Sequence, residues 1–581
     1  MFINRGNIDR LTWQAFERAV SRLLIHEGYD GLRVVGQTSD GGADVIAHRG
    51  SKRWLFQVKH WKARVGPDVI DRTLQAVSLY RAQIPVVVAL NGFQDDVREQ
   101  QRALLSSGIP LQLWDRYVLL QHVDNLVDAY PISPDRFQVR DYQEEAIQSL
   151  VRAYLDGHVS KALIVMATGL GKTFVAAESI RRLNSTSPTR RVLVLAHSNE
   201  LVYQLERAFW PFLRASQDTV VWNGHERPDP AELSQASCVF ACLDSVYERV
   251  NRGGDLPRFD IVLVDECHHA GAMMYQKVLS ELRAGESEGP FLTGLTATPW
   301  RPDEVELKDY FGEPLVCVDL VTGLKKGFLT NVDYRMYTDN INWESLTQLH
   351  GAAFSPRAIN RTLFIHQWDD GVVYELRSAW NEQQKPRAIV FCGTIDHALT
   401  MRDKINALNF CSAAAIYSQT SSGKSMAPYE RNRVLSDFHD GIVDVVCAVD
   451  IFNEGVDVPD VNIIVFQRVT HSRRIFIQQL GRGLRLAPGK DKVIVLDFVS
   501  DIRRFAAGID LKDKLADGQR DGGSIRVRLP NSVKFKRVGQ ENDLETESFL
   551  RHWLEDVAAV EAAGEDASIL KFPPQLPGGH Q

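Results

Sequence analysis

Apolar runs bounded by polar stretches recur along this chain, and most lead into a segment with helical periodicity. Between 140 and about 325 the runs are KALIVMA, RVLVLAH, SCVFACL, DIVLVDE and FLTGLTA. A second series opens near 386 with PRAIVFCG, SAAAIYS, VDVVCAV, VNIIVFQ and KVIVLDFV, and closes near 500. Continuous apolar strands that alternate with helices predict two parallel α/β sheets, buried on both faces. Residues 1 to about 127 follow another order: helix, hairpin, helix, strand, helix, strand, helix. The stretch AYPISPDRFQ (129–138) carries two prolines and little periodicity, so it predicts a linker. The predicted organisation is a domain over 1–128, a linker over 129–138 and a first α/β lobe over 139–325. A mixed connecting segment (326–385), a second lobe (386–505) and a polar tail (506–581) complete it.

Length agrees with this partition. At about 100–200 residues per domain, 581 residues predict three to five domains with ample cores. A 44% hydrophobic and 24% charged composition is that of a soluble globular chain. The formal net charge of -7 does not mark the whole chain as basic, but phosphates meet local patches rather than the net charge. Seven scattered cysteines with no CxxC pair argue against structural zinc and against a disulfide framework. With no apolar core at the N-terminus and no run near the ~20 residues of a membrane span, a cytoplasmic protein is expected.

Two stretches within the first series carry phosphate chemistry. In LIVMATGLGKTFVAAESI (163–180) a glycine loop sits between an apolar strand and a helix. Gly169 and Gly171 let backbone N–H groups turn inward onto phosphates; Lys172 reaches the β/γ-phosphates and Thr173 can ligate Mg²⁺. Met166 replaces the first glycine of the usual GxxxxGK[ST] pattern. FDIVLVDECHH (259–269) ends a strand with two carboxylates: Asp265 is placed to hold the Mg²⁺ shell and Glu266 to orient the attacking water. Cys267, His268 and His269 do not read as a single metal site, because adjacent residues point in different directions.

Together with their neighbours these stretches resemble superfamily 2 helicases and translocases, of the group that drives type I and III restriction enzymes. RDYQEEAI (140–147), MATGLGKT, VLAHSNELVYQ (194–204), DECH (265–268) and LTATPWR (295–301) are similar to the motifs of a first lobe, in order. AIVFCGTIDHA (388–398), AVDIFNEGVDVPDV (448–461) and QQLGRGLR (478–485) are similar to those of a second. The resemblance spans about 136–505 and implies two RecA-like lobes with ATP between them. It implies that Gln143 reads adenine, and that Thr168, His268 and Gln478 belong to the nucleotide site. Arg482 and Arg485 would reach the γ-phosphate, where a guanidinium can stabilise transition-state charge. Ser198, Asn199 and Thr394 fall on positions that touch a nucleic-acid backbone; such contacts carry little sequence information. The reading AHSNEL, in place of the commoner pattern, leaves DNA against RNA open.

The hairpin ADVIAHRGSKRWLFQVKHWK (43–62) poses a separate question. Pairing His48 with Arg53 around the RGSK turn sets Asp44 opposite Gln57, with Cβ atoms roughly 4.5–5.5 Å apart. Alternation adds Lys59 to that face, so a carboxylate, a carbonyl oxygen and an ammonium converge. Oxygen ligands suit Mg²⁺ or Mn²⁺, with Asp44 and Gln57 as the ligands. On the preceding helix (13–24) Glu17 borders an apolar face of Phe16, Val20, Leu23 and Leu24 and is expected to point at the hairpin. Lys52, Arg53, Lys62 and Arg64, interleaved with Trp54 and Trp61, suit phosphate steering and base stacking as a group, while for each alone a solvated hairpin edge, or a core place for the tryptophan, is the commoner reading; His60 faces away. Over about 10–125 the order and spacing resemble the Mrr-like branch of PD-(D/E)xK nucleases. That resemblance puts Glu17, Asp44, Gln57 and Lys59 on catalytic positions, with Gln57 in place of the commoner acid.

The combined expectation is an ATP-dependent DNA helicase or translocase joined to a Mg²⁺-dependent endonuclease. Restriction of foreign DNA and DNA repair both fit such a fusion. The alternatives are a motor whose N-terminal domain docks DNA without cutting it, and an ATP-gated nucleic-acid sensor that acts on a partner protein through the tail. DNA, double-stranded or forked, is the expected partner and a membrane is not; a homodimer or a defence-system partner protein stays open.

Overall fold

The computed structural model describes residues 2–35, 42–132, 138–187, 190–269, 273–297, 307–318, 322–323, 326–338, 366–417, 426–449, 460–467, 484, 486, 489–499 and 535–537. Three sheets organise them. The first two belong to one unit of the chain and the third to another.

The N-terminal domain runs α1 (Trp13–His26), β1 (Asp30–Val34), β2 (Val45–Arg49), β3 (Lys52–Lys59), α2 (Pro67–Tyr80), β4 (Ile84–Ala89), α3 (Asp95–Ser106), β5 (Gln112–Asp115) and α4 (Arg116–Asp124). Its sheet has the order β1-β2-β3-β4-β5; the first three strands are antiparallel, and β3, β4 and β5 are parallel. Helix α1 starts where the Thr12 side chain accepts a hydrogen bond from Ala15 N at 3.2 Å, which satisfies one of the free donors of the first turn. Phe16, Val20, Leu23 and Leu24 are buried against the sheet, as the periodicity predicts. Arg18 and Arg22 of the same helix are buried as well, which the pattern does not predict.

The second sheet is built by α5 (Asp141–Asp156), β6 (Lys161–Met166), α6 (Lys172–Thr186), β7 (Val192–Ala196), α7 (Asn199–Phe209), β8 (Thr219–Trp222), α8 (Pro230–Gln235), β9 (Cys238–Cys242), α9 (Leu243–Asn251), β10 (Ile261–Asp265), α10 (Met273–Glu281), β11 (Phe291–Thr296), α11 (Leu307–Phe311) and β12 (Pro314–Val318). All its strands are parallel, in the order β12-β6-β11-β10-β7-β9-β8. Strand β6, which feeds the glycine loop, and β10, which ends in the two carboxylates, flank β11. Their carboxyl ends therefore share one edge of the sheet, where α/β proteins bind ligands.

The third sheet comprises β13 (Asn331–Thr338), β14 (Ala388–Cys392), β15 (Ala413–Ile416), β16 (Val445–Ala448), β17 (Ile463–Gln467), β18 (Lys492–Val499) and β19 (Phe535–Arg537), with α12 (His366–Asn381), α13 (Ile395–Ala407) and α14 (Pro428–His439) along the chain. Its parallel order is β15-β16-β14-β17-β18-β13-β19. Strand β13 falls in the segment expected to connect the lobes, yet it pairs with β18 over its whole length. Buried Val372, Val373, Leu376 and Ala379 of α12 join the core of this sheet. The third sheet therefore takes in residues well before 386; the alternating polar positions of NVDYRMYT hide the strand. β19 brings part of the expected tail into the same sheet.

Candidate active sites

At the end of β6, Gly169 and Gly171 adopt φ of 92° and 91°, in the left-handed region that turns successive N–H groups to one side. Gly171 caps α6, which begins at Lys172. The positive φ favours glycine at 171, and a Cβ there would also stand 2.7 Å from Gln143 Nε2, which would have to shift. Gln143 is held by α5, its Oε1 accepting from Arg140 N at 3.1 Å. This turns the amide nitrogen toward the glycine loop. Thr168 lies in the loop and Thr173 in the first turn of α6, both partly exposed.

Lys172 Nζ lies 3.6 Å from Glu266 Oε1. Glu266 has a φ of 47°, unusual for a residue with a side chain, as the chain leaves β10. His268 Nδ1 lies 3.2 Å from Glu266 Oε2 and 3.2 Å from Thr296 Oγ1 at the end of β11. Burial pushes the Asp265 carboxyl up, and the Glu266 charge adds to that push against the pull of Lys172. Burial would raise Glu266 too, yet Lys172 and His268 hold it well below the usual carboxylate range. Asp265 Oδ1 is buried without a hydrogen-bond partner, which fits an oxygen ligand for a divalent cation. His197, just past the end of β7, acts electrostatically on both carboxylates. Sequence reasoning missed it. The signal was its place after RVLVLA, a strand that neighbours β10 in register with Leu195 opposite Val264. Arg482, Arg485 and Gln478 lie outside the described residues. Among the described residues no group of three or more His, Cys, Asp or Glu could hold a metal.

The hairpin pairs His48 with Arg53. Asp44, with 4% of its surface exposed, and Gln57, with 2%, follow the last paired residues. Gly42 makes room for this turn: at φ 97°, a Cβ there would sit 2.5 Å from the Arg72 carbonyl oxygen. Asp44 Oδ2 accepts from Val58 N at 2.5 Å and lies 3.6 Å from Lys59 Nζ. Thr73 Oγ1 donates to Val69 O at 2.7 Å, so it can only accept from Gln57. The Gln57 amide nitrogen then donates to Thr73 and to Val69 O (3.1 Å), and its oxygen accepts from Lys59 Nζ at 3.3 Å. A carboxylate, an amide oxygen and an ammonium thus meet in a nearly dry site, a donor set that fits a hard divalent cation.

Glu17 is half-buried on α1 and acts on Arg207 of α7. His60 packs on Phe16 with ring centroids 5.4 Å apart, turned from the site. Trp54 follows the core reading rather than base stacking: it stacks on Phe56 and packs, partly buried, against the core of the domain. Trp61 stays 42% exposed. Arg53 is tied to the Tyr80 carbonyl (2.9 Å) and to His48 (3.3 Å), so Lys52, Lys62 and Arg64 are the exposed cations of that group. Ser198 and Thr394 are N-caps, their hydroxyls accepting from Leu201 N (3.3 Å) and His397 N (3.2 Å), and Asn199 Oδ1 accepts from Gly224 N at 3.3 Å.

Known families match three successive segments. A restriction endonuclease family (Mrr type) matches residues 8–123, the type III restriction enzyme res subunit 136–301, and the helicase conserved C-terminal domain 371–487. The chain joins an Mrr-type restriction-endonuclease domain to a restriction-type helicase. Helicase membership implies ATP use, and the nuclease domain implies a divalent metal. The chain is 26% identical over 467 residues to the type I restriction enzyme EcoAI endonuclease subunit of Escherichia coli, covering 73% of this chain and 55% of that one. It is 26% identical over 410 residues to the DNA 3'-5' translocase XPB2 of Sulfurisphaera tokodaii, covering 64% of this chain and 84% of that one. Several curated relatives are matched over about half their length. The structure of the type ISP restriction-modification enzyme LlaBIII bound to DNA shares the fold, with a TM-score of 0.52 at 16% identity over 94% of this chain and 42% of that one. Among the described residues no helix is long and apolar enough to cross a membrane.

Proposed function

We propose that this chain is an ATP-driven DNA helicase or translocase whose N-terminal domain cuts DNA phosphodiesters with Mg²⁺, or Mn²⁺ in its stead. The observation that carries the nuclease half is the convergence of Asp44, Gln57 and Lys59, with Lys59 Nζ 3.6 Å from Asp44. Asp44 and the Gln57 oxygen would hold the cation, which when bound would supply Lewis acidity at the scissile phosphate and lower the pKa of a water. Lys59 places a fixed positive charge where the phosphorane charge develops. Glu17 is a further acid in this reading. With one carboxylate on the hairpin face, a weak metal site is expected, and the motor keeps this weak cutter at high local concentration on its track.

In the motor half, the loop from Thr168 to Gly171 and Lys172 would cradle the phosphates, and Thr173 and Asp265 would hold Mg²⁺. Glu266 orients the water, and Gln143, His268 and Gln478 complete the nucleotide site. Arg482 and Arg485 supply the charge that offsets the γ-phosphate. The domain boundaries proposed are 1–128 for the nuclease and about 139–325 for the first lobe. The second lobe extends from about 326 and takes in the strand at 331–338. Restriction of foreign DNA is the proposed role, with repair next to it.

A second reading keeps the motor and makes the N-terminal domain a DNA-docking module. It is favoured by Gln57 in place of an acid. One experiment separates the two: plasmid cleavage with Mg²⁺ or Mn²⁺, with and without ATP, by wild type, Lys59→Ala and Lys172→Ala. Cutting by wild type that vanishes in Lys59→Ala supports the nuclease. Cutting that persists in Lys59→Ala, or is absent from wild type, overturns it. Loss of only the ATP-stimulated part in Lys172→Ala supports a motor that drives the cut.

A further inference from the structure

Helix α1 of the nuclease domain is pinned to the first lobe by buried charges. Arg18 Nε donates to Glu206 Oε2 at 2.7 Å, and Arg18 Nη1 donates to Glu226. Arg18, Glu206 and Glu226 are 8%, 2% and 6% exposed. Each carboxylate has a second partner in the lobe: Thr219 Oγ1 donates to Glu206 at 2.7 Å and Tyr203 OH to Glu226 at 3.0 Å. The Arg18 guanidinium also lies over the Tyr203 ring, 5.5 Å from its centroid. One turn on, Arg22 Nη2 donates to the carbonyl oxygens of Arg214 and Gln217, both at 2.8 Å.

The place of this network gives it a role. Glu206 lies near the end of α7, the helix that Ser198 caps and Asn199 opens. Those two residues fall on positions matched to nucleic-acid contact. On the nuclease side, Arg18 follows Glu17, and Glu17 acts on Arg207, the residue after Glu206. Helix α7 thus has one end at the expected strand path and the other against the helix that carries a nuclease acid. Buried charges fix register where apolar packing would allow sliding, because a shifted guanidinium leaves two carboxylates dry and unpaired.

We propose that Arg18 is a positioning residue: acting through Glu206 and Glu226, it locks α1 to α7, so that strand engagement by the first lobe is transmitted to the nuclease domain. The inference rests on the reading of the chain as a nucleic-acid motor.

The test uses the full chain, a forked DNA duplex as probe and hydrogen exchange of the amides of α1. In wild type, probe binding is expected to change exchange over 13–26 by about fivefold or more. Arg18→Met should lose that response while probe-stimulated ATPase stays within about twofold of wild type. Because Arg18→Met leaves two buried carboxylates unpaired, Arg18→Met/Glu206→Gln/Glu226→Gln is measured beside it. This neutral variant should fold, keep the wild-type exchange of α1 without probe, and lack the response. A response retained in the neutral variant overturns the proposal. So does a variant whose α1 exchange is already raised without probe and whose ATPase falls in parallel, since that is a structural role. Stimulated ATPase in wild type with no exchange response sinks the inference alone. No ATPase stimulation at all sinks the motor reading, and the inference with it.

Discussion

Lys172 Nζ and Glu266 Oε1 stand 3.6 Å apart, so the residue expected on the phosphates and the residue expected on the water share one electrostatic site. Their charges hold each other in place. Lys172→Ala is expected to lower ATP hydrolysis by roughly a hundredfold or more, because a fixed charge at the phosphates is lost. Glu266→Gln should keep nucleotide binding and lower turnover by about 10²–10⁴-fold. Steady-state ATPase together with nucleotide titration checks both. Equal loss of binding in Glu266→Gln contradicts the role given to it.

Gly171 offers a steric test of the same site. Gly171→Ala brings a methyl to 2.7 Å from Gln143 Nε2 at a φ of 91°. The left-handed backbone alone costs about 1–2 kcal/mol. Nucleotide affinity is expected to fall about tenfold or more. Adding Gln143→Ala removes the clash, but it keeps the backbone cost and also takes away the adenine contact given to Gln143, so the double variant should stay well below wild-type affinity. Full recovery would mean that the conformation of the loop does not matter to binding.

Position 57 tests the metal assignment in the nuclease domain. Gln57→Glu adds a carboxylate beside Asp44 and removes the amide donor to Val69 O and Thr73. A tighter divalent-metal site is expected, at a stability cost of about 1 kcal/mol from the lost hydrogen bonds. Isothermal titration with Mn²⁺ reads the first and a urea midpoint the second. Unchanged affinity would remove residue 57 from the ligand set.

Acid should loosen the N-terminal domain through His26. Burial, with Arg22 close by, lowers its pKa from 6.5 to about 3 against a weaker opposite pull from Asp128. The unfolded chain takes up the proton near pH 6.5 and the folded chain does not. Stability is therefore whole above about pH 6.5 and falls below it, by up to ~1.4 kcal/mol per pH unit, until the folded group titrates. Urea midpoints at about pH 7.5 and about pH 5.5 should differ in wild type more than in His26→Leu. Equal differences would assign the acid sensitivity to other groups.

The strands that sequence patterning finds and those it misses differ in physical setting. β6, β7, β9, β10 and β11 are central or nearly so, buried on both faces, and read as apolar runs. The missed strands β1, β8, β12 and β19 are sheet edges, and β13 lies next to one; the edge strand β15 is an exception, read as the apolar run SAAAIYS. Edges are short or partly polar, since one side lacks a partner strand, and DGLRV and NVDYRMYT show no apolar run. The hairpin face was legible because alternation and one assumed pair fix every other position. Arg18 was not, because its partners lie 188 and 208 residues away and nothing local announces them. On a helix pattern a buried arginine looks like a solvated one. Trp54, between basic residues, follows the commoner reading of a tryptophan as core.

The stretch between the nuclease and the motor looks like a seam in the sequence, yet the folded chain is stitched across it. Asp128 accepts from Ser216 N (2.9 Å) and Oγ (2.8 Å), and Tyr130 lies under the guanidinium groups of Arg181 and Arg214. A recombination event that exchanged the first 128 residues for another nuclease would carry Arg18 away from Glu206 and Glu226, and Asp128 from Ser216. The incoming domain would have to bring its own guanidinium to the same two carboxylates. An exchange that kept this packing would therefore have to carry the nuclease helix together with the surface of the motor on which it rests.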